Sequence, residues 1–188
     1  MDAHSQVIAI LRADPLRWHL LGVVRALNLR DGWIAAGFVR NAVWDHLHGR
    51  APSAPTGDVD VIWYDPLVID PVEDRRYEAM LRAAEPGIAW SVKNQARMHV
   101  RNDDRPYLSA TDAMRHWPET ATAIAVRRRG EEGCEVAAPL GLNDLMHLIL
   151  RPTSRFIDEK RAMYDGRVAS KRWIENWPRL RQEPGEGR

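Results

Sequence analysis

The chain has 188 residues, 45% of them apolar and 28% charged, and a formal charge of +1, a composition with room for one ordinary core and no bulk basicity to hold nucleic acid. Its one cysteine, Cys134, excludes an internal disulfide and a multi-cysteine metal centre. No apolar run approaches the roughly 18 residues that cross a bilayer, and the N-terminal run at 7–11 is too short for a secretory leader, so a cytoplasmic protein without a membrane partner is expected.

In chain order, residues 5–12 and 16–27 read as amphipathic helices, the second with Leu20, Leu21, Val24 and Leu27 on one face. Residues 33–36 form a short apolar strand ending at Gly37. Residues 39–48 follow as a helix, with Val39, Val43 and Leu47 spaced by four. Residues 58–63 read as a strand stopped by Asp65-Pro66, and 74–85 as a helix whose inward stripe is Tyr77, Met80, Leu81 and Ala84. Residues 88–100 alternate with a period of two and are expected to be extended. A short helix at 111–117 precedes a hairpin of 121–127 and 134–138, then helices at 143–150 and 157–173. Strands interleaved with helices predict an α/β (α+β) protein, a small mixed sheet flanked by helices, in one domain over 1–180. The tail at 181–188 is expected to be disordered.

Two features carry chemistry. Asp58 and Asp60 stand at i and i+2 on a predicted strand, so both carboxylates leave the same face. Like charges held together call for a cation, and hard oxygen donors of this kind suit Mg²⁺, which binds one or two carboxylates and fills its shell with water and phosphate oxygens. About twenty residues upstream, Ala36-Gly37-Phe38-Val39-Arg40-Asn41 puts a glycine turn at a helix N-terminus. Such a turn offers a phosphate close backbone approach, free N–H groups and the positive end of the helix dipole. The two together suggest metal-assisted phosphoryl or nucleotidyl transfer.

The string Gly37-Phe38-Val39-Arg40-Asn41, then Leu47-His48-Gly49-Arg50, then Asp58-Val59-Asp60 resembles the signature of the polymerase-β-type nucleotidyltransferase superfamily. It is similar in particular to the head motif of CCA-adding enzymes, Gly-Gly-x-Val-Arg-Asp … Leu-Leu-Gly-Arg … Asp-x-Asp. The chain also resembles a bacterial family of short nucleotidyltransferase-like proteins in Trp90-Ser91-Val92-Lys93-Asn94-Gln95-Ala96-Arg97-Met98-His99 and in Ala138-Pro139 … Gly141-Leu142. The resemblance implies that Asp58 and Asp60 are the catalytic metal ligands for Mg²⁺. Gly37, Phe38, Arg40 and Asn41 would lie at the phosphates of an NTP, with Lys93 and Arg97 taking up substrate charge. The implied reaction moves a nucleoside monophosphate to an unknown acceptor (small molecule, protein or RNA) and releases pyrophosphate.

The sequence also departs from the pattern. Phe38 and Asn41 replace residues of the family turn, and active members carry a third carboxylate on the strand expected at 88–100, which has no Asp or Glu. Asp103 and Asp104 are the nearest acids that could reach in from the following loop. No Glu-Asp-x-x-Arg segment is evident and no tRNA-binding helical domain follows, so CCA addition itself is not expected. An inactive member that binds nucleotide or a partner is therefore the alternative, with an RNA-associated module on the basic C-terminal helix (Lys171, Arg172, Arg179, Arg181) as a third reading. Trp173 and Trp177 are expected to pack helices rather than stack bases, and Arg127, Arg128 and Arg129 to be solvated surface.

Overall fold

In the computed structural model, which describes residues 1–185, five strands form one mixed sheet in the order β3-β2-β1-β4-β5. The strands are β1 (Trp33–Ala35), β2 (Val59–Trp63), β3 (Trp90–Asn94), β4 (Ala125–Arg129) and β5 (Gly133–Ala137). Only β2 and β3 run parallel; every other pairing in this sheet is antiparallel. The parallel pair needs a long crossover, and α4 (Pro71–Ala84) supplies it.

Alternation along the strands divides the sheet cleanly. Ile34, Val59, Val61, Val92 and Val126 face back, into the main core built with α1 (Ala3–Arg12), α2 (Pro15–Ala26), α3 (Gly37–Leu47) and α4. Fully burying one such side chain contributes roughly 1.5–3 kcal/mol. Trp33, Ala35, Ile62 and Ala125 face front, where Ala110 and Met114 of α6 (Ala110–Met114) cover only part of the sheet. The uncovered part becomes the site.

Several helices start where a carboxylate can cap them. Asp14 accepts from the Arg17 N–H at 3.0 Å ahead of Pro15, and Asp70 accepts from the Val72 N–H at 2.8 Å ahead of Pro71. Proline at the first helical position loses no bond, because that N–H has no intrahelical partner. Both helices therefore begin at or ahead of the apolar periodicity that announced them.

The extended stretch expected at 88–100 ends at Asn94. That side chain accepts from the Ala96 N–H at 3.0 Å and donates to Asp65 O at 2.9 Å and Val68 O at 2.6 Å, which turns the chain into a 3₁₀ turn (Gln95–Arg97) and α5 (Met98–Asn102). The helix expected at 143–150 is only the turn α7 (Asn143–Met146). Leu148 takes a left-handed φ of 59°, and β6 (Ile149–Leu150) then pairs with β7 (Arg181–Gln182). The tail expected from 181 is thus a strand at its start, while 186–188 lie outside the described residues. The helix expected at 157–173 is α8 (Arg161–Lys171) followed by α9 (Trp173–Asn176).

Aromatic packing joins this C-terminal region to the core. Trp44 on α3 meets Trp173 and Trp177 edge-on at 6.1 and 5.2 Å, and the Trp177 indole N–H donates to Asp45 at 2.8 Å. Both tryptophans are buried, which leaves neither ring open to a base. The arginine run is matched locally: Arg127 lies 3.8 Å over the Trp33 ring and pairs with Glu135 at 2.7 Å, as Arg129 does at 2.6 Å. Cys134 is half-buried, and burial pushes its thiol up to about 11, so it remains protonated near neutrality. Among the described residues no helix is long and apolar enough to cross a membrane.

Candidate active site

A cavity of about 570 Å³ opens on the uncovered front of the sheet, within the size range of small-molecule sites. Its floor is Ala36, Asp60, Ile62, Ser91 and Lys93, and its far wall is made by Met98 of α5, by Met163 and Arg167 of α8 and by Lys160 just ahead of α8. Asp60 is held at the centre of the sheet, opposite Ala35 on β1 and Ser91 on β3. Asp58 stands just ahead of β2 and is exposed. Burial first, and then the charge of Asp58, raise the Asp60 carboxyl above its ordinary range; Arg167 and Arg40 act in the opposite sense. A carboxylate raised by burial and by a neighbouring like charge fits a divalent cation whose remaining shell is water and phosphate. Among the described residues, no group of three His, Cys, Asp or Glu is placed to hold a metal.

The turn ahead of α3 is made differently from expectation. Ala36, not Gly37, takes the left-handed φ of 55°, with its N–H bound to Ile124 O at 2.9 Å. This is a strained conformation for a residue with a side chain. Gly37 is the first residue of α3, and a Cβ there would stand 3.4 Å from Arg40 Nη2, an ordinary contact. Its contribution is an open backbone rather than a left-handed turn. Helix geometry leaves the Gly37 and Phe38 N–H groups without intrahelical acceptors, and no other described residue accepts from them.

Phe38, Arg97 and Lys93 each have a partner within the fold. The Phe38 ring is 1% exposed in the main core with the Arg17 guanidinium 5.7 Å above it, so only its backbone is available to a ligand. Arg97 is drawn off the front by Asp74 of α4. That buried carboxylate accepts from Trp63 Nε1 at 2.8 Å and from the Asn94 N–H at 2.9 Å, and it ion-pairs with Arg97. A buried charge takes the nearest countercharge. Lys93 does line the cavity, but its ammonium curls round the edge strand to Glu78 at 2.9 Å, where its charge is already matched.

Arg40 and Asn41 form a brace behind the carboxylates. Arg40 is 5% exposed; it donates to Thr122 Oγ1 at 2.8 Å and Asn41 Oδ1 at 2.9 Å, and it lies 5.0 and 4.5 Å from the Trp44 and Trp173 ring centroids. Burial lowers its pKa to about 10, while the Glu119 and Asp60 charges support the cation. Asn41 Nδ2 reaches Thr56 Oγ1 at 3.4 Å, tying the brace to the loop that delivers Asp58.

Neither acid of the following loop completes the pair. Asp103 lines the cavity without forming a three-carboxylate group with Asp58 and Asp60. Asp104 is buried and paired with Arg155 and the Tyr107 hydroxyl. Opposite Asp60, β3 presents Ser91. The residues that sequence reasoning missed are Lys160, Arg167 and Glu119. They lie more than fifty residues beyond the motif in the chain, and no spacing rule links them to it.

A five-stranded mixed sheet flanked by helices, with Asp60 on β2 and Asp58 just ahead of it, matches the fold of nucleotidyltransferase head domains. The chain belongs to a nucleotidyltransferase family, whose profile matches residues 22–182. Its fold is similar to an NMR structure described as revealing a CCA-adding enzyme head domain, at 33% identity and a TM-score of 0.84, over 96% of this chain and 95% of that one. Similarity extends to a CCA-adding enzyme in complex with CTP (14% identity, TM-score 0.58, 95% of this chain) and to a tRNA-processing enzyme (15%, 0.52, 88%). At those identities the likeness concerns the fold alone, and the chain spans 43% and 42% of the two structures. A search of curated proteins found no match.

Proposed function

We propose that this chain transfers a nucleoside monophosphate from an NTP to an acceptor, releasing pyrophosphate, with Asp58 and Asp60 holding the Mg²⁺ that such a reaction uses. The observation that carries the reading is Asp60 itself: a carboxylate kept on the cavity floor beside a like charge, at a cost that a bound cation would remove. The cation would supply charge neutralisation at the triphosphate. The chain's own part is positioning. The Gly37 and Phe38 N–H groups offer an anion two donors at the positive end of α3, and Arg40 and Asn41 tie that helix end to Thr56 in the loop ahead of β2. The cavity wall would enclose the nucleotide and exclude water from it. The acceptor would be a small molecule, protein or RNA in the cytoplasm that reaches the cavity mouth.

Incubation with each α-³²P-labelled NTP, Mg²⁺ or Mn²⁺ and cell extract tests this: an acceptor that becomes labelled by wild type is expected. Absence of label with every NTP, despite nucleotide-dependent thermal stabilisation, would leave the second reading, a member that binds nucleotide without transferring it. Ser91 opposite Asp60, where a third acid would provide a base, is the observation favouring that alternative. Gly37→Ala separates backbone approach from folding. The methyl meets only ordinary contacts, so the melting temperature is expected to stay within about 2 °C of wild type, as for a substitution costing under about 0.5 kcal/mol. NTP affinity is expected to fall several-fold, and unchanged affinity in titration calorimetry would remove Gly37 from the phosphate site.

A further inference from the structure

The arginine of the Val39-Arg40 motif does not reach the cavity, and another one does. Arg40 is walled in between Trp44 and Trp173, with its donors turned to Thr122 and Asn41. Arg167, near the end of α8, lines the cavity that contains Asp60. Its Nε donates to Glu119 Oε1 at 2.7 Å, and among the described residues its two Nη groups make no hydrogen bond. Its side chain is 35% exposed, whereas that of Glu119 is 0% exposed.

Glu119 is an expensive residue to keep at this place. It is a fully buried carboxylate, and its Oε2 has no hydrogen-bond partner. An unpaired buried charge is strongly unfavourable, so it persists only between countercharges. It has two: Arg167 by direct contact, and Arg40, whose cation it supports. Thr122, on the 3₁₀ turn directly after Glu119, is also the hydroxyl that receives Arg40. One carboxylate between two guanidiniums leaves a net positive charge, and only Arg167 can present it to a ligand. A guanidinium bound through Nε is fixed in orientation, with both Nη groups left as a planar fork suited to two phosphate oxygens.

We propose that Arg167 is the residue that binds the NTP triphosphate in the cavity, and that Glu119 is the buried positioning residue that aims it. The inference rests on the nucleotidyl-transfer reading of Asp58 and Asp60. It moves the phosphate-binding arginine from the motif helix to the C-terminal helix, about 130 residues further along the chain. Arg40 then serves the fold and not the ligand.

Titration calorimetry with each Mg²⁺·NTP, on wild type, Arg167→Gln, Arg167→Lys and Glu119→Gln, tests the assignment. Arg167→Gln is expected to weaken binding roughly ten- to hundredfold, the worth of charge-assisted hydrogen bonds. It is also expected to lower the melting temperature, because Glu119 keeps only Arg40 as a countercharge, so binding is measured below the variant's own transition. Arg167→Lys should recover part of the affinity. Glu119→Gln touches no ligand, yet it should weaken binding as well, and the Glu119→Gln/Arg167→Gln double variant should be no weaker than Arg167→Gln alone. A purely structural effect of Glu119 would instead add to that of Arg167. If Glu119→Gln does not fold, Glu119→Asp serves in its place, with weakened binding expected because the shorter side chain draws Arg167 back. Wild-type binding with Arg167→Gln within twofold of it would overturn this assignment alone. Wild type binding no NTP would overturn the nucleotidyl-transfer reading and this one together.

Discussion

Asp60→Asn is expected to lower nucleotidyl transfer by roughly a thousandfold or more, while making the metal-free protein more stable. The activity loss follows from the position of Asp60 on the cavity floor with Asp58 beside it. An amide keeps the shape but gives up the charge, and a bound cation contributes several kcal/mol of charge stabilisation at about 1.4 kcal/mol per tenfold in rate. The stability gain has the same origin. Burial and the Asp58 charge raise the Asp60 carboxyl in the folded protein, so the folded state binds this proton more tightly than the unfolded chain does. The stability that protonated Asp60 contributes is fully present below the ordinary carboxylate pKa. It is lost as pH rises through the raised one, and at neutral pH the ionised group works against folding. Asparagine removes that burden; a gain near 1 kcal/mol would raise the melting temperature by about 2–4 °C in a domain of this size. Wild type should also lose its deficit relative to Asp60→Asn as pH falls towards 4. Melting curves of both proteins across pH 4–8 in EDTA, repeated with Mg²⁺·NTP, check the sign. A variant less stable than wild type at pH 7 without metal would show that Asp60 is a structural group.

Arg40→Ala is expected to cost about 3–5 kcal/mol of folding stability, as removal of one partner of a buried charge cluster does. At about 2–4 °C per kcal/mol this is a fall of roughly 6–20 °C in melting temperature. The guanidinium fills the space between Trp44 and Trp173, satisfies Asn41 and Thr122, and is one of the two countercharges of Glu119. Arg40→Lys should recover little, because an ammonium neither fills the space beside the two indoles nor presents a planar fork to Asn41. Urea unfolding followed by tryptophan fluorescence gives the number directly. If Arg40→Ala keeps wild-type stability and instead loses NTP affinity, the motif arginine is the phosphate ligand and the role given to Arg167 is wrong.

Much of the fold was legible because it rests on local periodicity. The alternation in Val59-Asp60-Val61-Ile62 gave both the strand and the face on which Asp60 stands, and apolar periodicity gave the second and fourth helices, though it starts them at 16 and 74 where the aspartate caps before Pro15 and Pro71 start them earlier. Errors fell where a side chain outranked periodicity. Residues 88–100 alternate throughout, yet Asn94 offers the backbone a turn, and Asp74, distant in sequence, claims Arg97. The apolar run at 143–150 has helical spacing, but Ile149–Leu150 gains a strand partner from 181–182 that no local rule reveals.

What the sequence alone suggested is the acidic pair and the glycine-led helix end, because Asp58, Asp60 and Gly37 lie in one short stretch of chain in a recognisable pattern. What only the tertiary structure decided is which cations face that pair. Arg40, Lys93 and Arg97 all have the right charge and lie near the motif in sequence, but burial between indoles, Glu78 and Asp74 respectively take each of them up. Arg167 comes from the far end of the chain and is held by a carboxylate buried under α8. A charge is directed by the nearest countercharge in space, and nearness in space is what chain order does not specify.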